Sequence, residues 1–170
     1  PNGLLAFGGD LSIERLLSAY RHGVFPWYSE GQPILWWNPA PRMVLYPNEL
    51  HVTRSLRRSL RNRGYEASVD LSFHDVVRSC AASRDDQPGT WLVPEMIDAY
   101  LALHKAGYAH SIEIWSEEQL VGGLYGVAIG QMFFGESMFS RLTDTSKAAL
   151  VVLVEIATSL PFQLIDCQVH

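Results

Sequence analysis

Two short strips carry the residues best placed to do chemistry: Leu164-Ile165-Asp166-Cys167-Gln168 and, upstream of it, Phe134-Gly135-Glu136-Ser137-Met138-Phe139-Ser140-Arg141. Each sets polar groups at the end of an apolar run that reads as a buried strand. Residues i and i+2 of a strand share a face. Asp166 and Gln168 should therefore point the same way, with Cys167 in the opposite layer. A carboxylate and an amide among Leu, Ile and Cys are costly unless a partner satisfies them. That partner is either backbone or a substrate. Glu136 sits on the neighbouring strip by the same logic, receiving an incoming amine or a substrate's basic Arg or Lys side chain, or forming an ordinary salt bridge, for instance to Arg141. Gly135-Glu136-Ser137-Met138-Phe139 brushes against the hydrolase elbow Gly-x-Ser-x-Gly. Its last position is Phe and its strand reads as antiparallel, so Ser137 lacks the context of a nucleophile.

A second signal is electrostatic. Five arginines and no acid fall between Arg54 and Arg63. Arg54, Arg57, Arg58 and Arg61 recur at i, i+3, i+4 and i+7, one face of a helix, with Leu56 and Leu60 on the other. Like charges on one face cost stability, so a polyanion read through its phosphates is a sensible partner. A merely solvated basic face is the plainer alternative. The net charge of −5 argues against generic nucleic-acid coating.

The elements that must position these groups follow from pattern. Leu11–His22 has helical spacing, with Asp10 or Ser12 as cap and Gly23 past its end. Pro and aromatic residues crowd the rest of the first stretch. Residues 1–41 are therefore read as a small N-terminal subdomain ending at Pro39-Ala40-Pro41, and residues 42–170 as the main domain. Met43–Tyr46 reads as a strand, Thr53–Arg63 as a helix, Ala67–Val69 as a strand, Phe73–Cys80 as a helix and Ser83–Gly89 as a polar loop. Pro94–Ala106 is a helix with Pro94 in its first turn and Gly107 past its end. Ala109–Trp115, Leu120–Ile129 and Met132–Met138 form a meander. Within it Ser111, Glu113 and Trp115 face one way, and His110, Ile112 and Ile114 the other. Asp144 or Thr145 caps an apolar helix over Ser146–Leu160, and Phe162–Gln168 closes as a strand. This order argues an α+β fold, a mostly antiparallel mixed sheet flanked by helices.

Bulk properties set limits. The chain has 170 residues, 48% hydrophobic and 18% charged, which suits a globular protein with one core or a core plus an appendage. No apolar run approaches a membrane span, no basic-then-apolar leader opens the chain, and a cytoplasmic, monomeric protein is expected. Cys80 and Cys167 suit two packed, reduced thiols. The histidines show no metal-ligand spacing, so neither metal nor cofactor is expected.

Nine motifs in order carry a resemblance over essentially the whole chain: Pro1-Asn2-Gly3-Leu4-Leu5-Ala6, Gly8-Gly9-Asp10-Leu11, Phe25-Pro26-Trp27, Leu35-Trp36-Trp37-Asn38-Pro39, Gly89-Thr90-Trp91, His110-Ser111-Ile112-Glu113, Val121-Gly122-Gly123-Leu124-Tyr125-Gly126, Gly135-to-Arg141 and Ile165-Asp166-Cys167-Gln168. Together they resemble the leucyl/phenylalanyl-tRNA–protein transferases. The resemblance implies a small N-terminal domain followed by an acyltransferase domain like that of the Gcn5-related N-acetyltransferases (GNAT). It implies transfer of Leu or Phe, less well Met, from aminoacyl-tRNA to a protein beginning with Arg or Lys, making an N-degron. It assigns the central chemistry to Asp166 and Gln168, with Gln168 accepting a hydrogen bond from the attacking amine and Asp166 orienting it. Trp27, Trp91, Tyr100, Leu124, Phe133, Met138, Leu153 and Ile165 match its pocket and aromatic positions, where core packing is the alternative. Trp27 and Trp91 could stack on the terminal adenine of the tRNA. The arginine face would take the acceptor stem, and Ser146 and Lys147 one further phosphate. Family members run on past Asp-Cys-Gln, so the closing strand is expected to leave an open edge.

Two other functions compete with this one. An acetyl-CoA-dependent enzyme of the same fold needs a Gly-rich loop entering a helix, whereas Arg141-Leu142-Thr143-Asp144-Thr145-Ser146-Lys147 contains no glycine. A non-catalytic tRNA-binding module would need only the arginine face.

Overall fold

The computed structural model describes residues 3–82 and 92–169. Two sheets organise them. The first is antiparallel and small: β1 (Leu4–Phe7) and β2 (Phe25–Pro26) flank β3 (Leu35–Trp37). Helix α1 (Ile13–Arg21) begins where the Ser12 hydroxyl accepts the Arg15 N–H, with Asp10 in turn accepting the Ser12 N–H. Its apolar stripe buries Leu16, Leu17 and Tyr20.

The second sheet has six strands: β4 (Val44–Leu45), β5 (Glu66–Val69), β6 (Ala109–Ser116), β7 (Gln119–Ile129), β8 (Met132–Ser140) and β9 (Leu164–Asp166). Their spatial order is β4-β9-β8-β7-β6-β5. All neighbours are antiparallel except β8 and β9. Helix α5 (Thr145–Ser159) makes the connection that a parallel pair requires. This mixed α+β architecture is the one expected from the sequence.

Each face of the large sheet has its own apolar cluster. Helices α3 (Phe73–Ala82) and α4 (Pro94–Lys105) cover one face, where Val76, Met96 and Leu103 meet Tyr125, Val127 and Phe134. Leu16, Tyr20 and Trp36 belong to this same cluster, so the first sheet and α1 share their core with the second. Helix α5 covers the other face, where Leu153 and Ala149 meet Leu124, Phe133 and Ile165. Helix α2 (Arg54–Arg63) rides on this side through Leu60. No helix among the described residues is long and apolar enough to cross a membrane.

Several local expectations change. Ser111, Ile112, Glu113 and Ile114 are all buried, because helices cover both faces and alternation no longer sorts core from solvent. Glu113 is satisfied by the Ser68 and Ser111 hydroxyls and by the N–H groups of Leu71 and Ser72. Asp144 occupies the N-cap position of α5 but makes no cap bond. Its carboxylate accepts instead from Ser59 and Lys147. The closing strand has no open edge, since β4 pairs Val44 with Asp166 on its far side. The two strands are far apart in the chain, so nothing local advertises that pairing. The closing strand also stops at Asp166 rather than Gln168.

Candidate active site

The site forms where β8 and β9 part. Their parallel register ends at the pair Phe134–Asp166. On the other side of β8 the register slips. Tyr125 of β7 opposes Ser137 and the next residue, Gly126, opposes Gly135, which leaves Glu136 as the extra residue of a bulge. A bulge re-aims the side chain it carries. Only glycine fits at 126, because a Cβ there would lie 2.2 Å from the Phe134 carbonyl oxygen. Glu136 is thereby turned into the α3–α4 side of the sheet, toward Tyr20 of α1 and Tyr100 of α4.

Three donors converge on that carboxylate. The Tyr20 hydroxyl donates to Glu136 Oε1 at 2.6 Å and the Tyr100 hydroxyl to Oε2 at 2.8 Å. The two hydroxyls are themselves 2.8 Å apart. Gln168 Nε2 donates to Oε1 at 2.9 Å. Glu136 is only 8% exposed, and no cation pairs with it among the described residues. Burial pushes its carboxyl up to about 7, against the pull of the tyrosine hydroxyls and the Gln168 amide, with the nearby Asp166 charge adding to the rise. Burial and the same carboxylate hold both tyrosines well above their usual range, so they act as donors.

Asp166 is held differently. Its carboxylate takes the Arg42 guanidinium as a fork, Nε at 3.0 Å and Nη2 at 2.8 Å, and accepts the main-chain N–H of Gln168 at 2.7 Å. The contact to Gln168 therefore runs through backbone rather than through the amide side chain. Gln168 adopts φ +63°, a left-handed conformation that costs a non-glycine residue on the order of 1–3 kcal/mol. The charged-acceptor bond from its own N–H holds it there. With Nε2 committed to Glu136, the amide oxygen of Gln168 is the end of the side chain left for a substrate. Beside it lies a hollow of about 190 Å³, lined by Pro26, Trp27, Gly135, Glu136, Gln168 and Val169.

The site residues expected from sequence distribute as follows. Glu136, Asp166 and Gln168 are brought together, and Trp27 walls the same hollow while stacking at a tilt on Trp37, 5.9 Å between ring centroids. Tyr100 joins them as a hydrogen-bond donor rather than as apolar wall. Leu124, Phe133, Leu153 and Ile165 lie in the apolar cluster under α5, on the opposite face of the sheet. Met138 pairs across the ladder with Leu124 and is 44% exposed. Trp91 lies outside the described residues. Arg54, Arg57, Arg58 and Arg61 are all exposed on α2, and Arg54 and Arg58, with Arg63, line an open groove of about 540 Å³. That helix is tied to the entrance of α5 by the Ser59–Asp144 bond and by Tyr65, whose hydroxyl donates to the Thr143 carbonyl. Arg141 does not pair with Glu136; it donates to Ser79 and to the Leu120 carbonyl.

Two members of the site carry no functional signal in the sequence. Tyr20 sits in the apolar stripe of α1 and looks like core. Arg42 follows a proline with no acid near it in the chain, and only folding reveals its partner.

The architecture has solved counterparts. An aminoglycoside acetyltransferase from a soil metagenome superposes with a TM-score of 0.51 at 14% identity, over 65% of this chain and 80% of its own. The L-PGS structure from Bacillus licheniformis superposes with a TM-score of 0.53 at 12% identity, over 90% of this chain and 49% of its own. The mixed sheet, with its one parallel pair and helices on both faces, is thus a GNAT-like fold. Sequence comparison then narrows the class. The family model for leucyl/phenylalanyl-tRNA protein transferase matches residues 44–170, and the model for its N-terminal domain matches residues 9–40. The leucyl/phenylalanyl-tRNA–protein transferase of Stutzerimonas stutzeri is 60% identical over 168 residues, 99% of this chain and 74% of the relative. That of Chromobacterium violaceum is 59% identical over 170 residues, 100% of this chain and 73% of the relative. The chain belongs to the leucyl/phenylalanyl-tRNA–protein transferase family.

Proposed function

We propose that this protein is an aminoacyltransferase that moves Leu or Phe, less well Met, from aminoacyl-tRNA to the N-terminal Arg or Lys of an acceptor protein. The product would be an N-degron made in the cytoplasm by a monomer. Residues 1–41 act as the subdomain that walls the hollow, and residues 42–170 as the acyltransferase domain. The observation that carries this reading is a buried Glu136 carboxylate, without a cation of its own among the described residues, facing a hollow it shares with the Gln168 amide.

The reaction is aminolysis of an ester. The acceptor amine attacks the ester carbonyl, the new C–N bond forms, and the C–O bond to the ribose breaks. The proton lost by nitrogen ends on the ribose oxygen. The attacking α-amine has a pKa of about 7.7 to 8.0, so a useful share is neutral near pH 7 without a strong base. The enzyme's work is mainly orientation. Gln168 Oε1 accepts an N–H of the attacking amine. Ionised Glu136 supplies the counter-charge for an ammonium in the hollow, either the α-ammonium of the aminoacyl group or the acceptor's cationic end. The transferred side chain would pass the gap where β8 and β9 part to reach Leu124, Phe133, Leu153 and Ile165 in the apolar cluster on the opposite face of the sheet, with Met138 paired to Leu124, and Trp27 offers a ring for the terminal adenine. The arginines of α2 hold acceptor-stem phosphates.

Transfer of label from Phe-tRNA to a peptide beginning with Arg tests this directly. Gln168→Ala should lower transfer roughly a hundredfold while tRNA still binds. Arg54→Ala combined with Arg58→Ala should weaken tRNA binding and leave turnover at saturating tRNA intact. Undiminished transfer in Gln168→Ala would overturn the assignment of the site.

A further inference from the structure

Arg42 is the residue on which the two halves of the site meet. It lies just after Pro41, between the two sheets, with its side chain 18% exposed. Its fork saturates Asp166. Its remaining nitrogen, Nη1, donates to the Gly23 carbonyl at 2.7 Å and reaches the Asn38 amide oxygen at 3.4 Å. Its guanidinium carbon lies 5.0 Å from the centroid of the Phe25 ring. Gly23, Phe25 and Asn38 all come from the first sheet and its loops, and Phe25 is two residues before Trp27. Asp166 comes from the last strand of the second sheet and holds Gln168 in its left-handed turn. One guanidinium thus touches both walls of the hollow without lining it.

We infer that Arg42 is a positioning residue for the transfer reaction: it fixes Asp166, and through Asp166 the orientation of the Gln168 amide, against the wall that carries Trp27. The inference rests on the transferase reading above and adds to it the device that sets the site's geometry. Chemistry supports the choice of residue. Only a planar fork can bind both carboxylate oxygens and still present a third nitrogen to a carbonyl behind it. A lysine in its place would keep the charge and lose the geometry. With both Asp166 oxygens occupied by Arg42 and by the Gln168 N–H, Asp166 is not free to take a proton from the substrate. Its contribution is conformational, and Arg42 is the group that orients it. Removing the fork frees Asp166 to rotate, which releases the Gln168 N–H and lets its amide leave Glu136.

The test is a double-mutant cycle on the intact protein, using Phe-tRNA and a peptide beginning with Arg. Arg42→Ala should lower kcat roughly a hundredfold, the cost of a misplacement of about 1 Å, with the KM for Phe-tRNA little changed. Arg42→Lys should lose less, and added guanidinium ion should restore part of the kcat of Arg42→Ala. A purely structural residue would show neither recovery. Combining Arg42→Ala with Asp166→Asn should cost no more than the worse single variant, since both act through one contact. Multiplying losses in the double variant, or an unchanged kcat in Arg42→Ala, would overturn the inference. If Arg42→Ala does not fold, as read by circular dichroism, Arg42→Lys and Arg42→Gln enter the same cycle with the same criterion. Failure of the transferase reading itself is distinguishable: in that case the parent protein would move no label from Phe-tRNA to the peptide, whatever residue stands at 42.

Discussion

The arginine face of α2 and the Glu136 cluster handle charge in opposite ways. On α2 four guanidinium groups stand in solvent on one side of an exposed helix, with no acid between Arg54 and Arg63. In the cluster a single carboxylate lies buried under three donors and beside a second, paired carboxylate. Exposed like charges each contribute little, are screened by salt and add almost independently. Buried polar groups share partners, so the loss of one changes the rest. The first arrangement suits a surface that grips a polyanion anywhere along its backbone. The second suits a point where one nitrogen must be held in one place.

The sharpest way to break this contrast is at the bulge. Gly126→Ala forces a Cβ against the Phe134 carbonyl, and neither backbone can retreat cheaply. Stability should fall by about 1–3 kcal/mol, and transfer should fall further than the melting loss explains, because Glu136 loses its aim. Thermal denaturation and transfer assays on one preparation measure both. Should activity survive in the remaining folded protein, the bulge does not aim the carboxylate.

Next in size is the pH response of Glu136. Its carboxyl is pushed from an ordinary 4.5 up to about 7. The folded chain therefore holds this proton more tightly than the unfolded chain does. The group's favourable contribution is complete below about pH 4.5 and is lost as pH rises through 7, on the order of 3 kcal/mol. Glu136→Gln should flatten that part of the stability profile, followed by urea denaturation between about pH 4.5 and 8. If ionised Glu136 serves the amine, transfer should rise through pH 7 in the parent and lose that limb in the variant.

Smaller still are the effects on α2. Removing Arg54 and Arg58 together should lower the slope of log affinity for tRNA against log salt by about 1.5, roughly 0.7 to 0.9 for each phosphate no longer neutralised. A salt titration of binding reads it, and an unchanged slope would mean that the face is only solvated. Least of all, Thr53→Ala removes the hydroxyl that accepts the Leu56 N–H at the start of α2. About 1 kcal/mol of helix stability should go with it, with transfer kcat unchanged.

The same contrast explains what can be read from the chain. Helix α2 is legible to within a residue, because its cap, its arginine spacing and its Gly64 terminator are all local. So are α4, started by Pro94 and ended before Gly107, and the three long strands of the meander. The candidate site is legible as a set of residue types but not as an arrangement. Pattern places Gln168 in a strand, since nothing in Asp-Cys-Gln announces a left-handed turn held by a carboxylate two residues back. Pattern also offers Asp144 or Thr145 as the cap of α5, yet Asp144, at the N-cap position, has its oxygens taken by Ser59 and Lys147. That is a contest between near and distant partners, which spacing cannot decide. Tyr20 looks like core because a tyrosine in an apolar stripe declares its ring and not its hydroxyl. Glu136 stands out in its strip, but its place as the extra residue of a bulge depends on which β7 residue it faces.

Sequence by itself determined the family, the class of fold, the basic helix and the identity of the polar groups at the end of the sheet. It could do so because periodicity, capping and motif order are properties of neighbours along the chain. Only the tertiary structure decided that β4 closes the sheet beside β9, that two tyrosines from separate helices meet on one carboxylate, and that Arg42 ties the last strand to the first sheet. Those are contacts between residues tens to more than a hundred positions apart. Their partners are chosen by packing, and packing exists only once the whole core has formed.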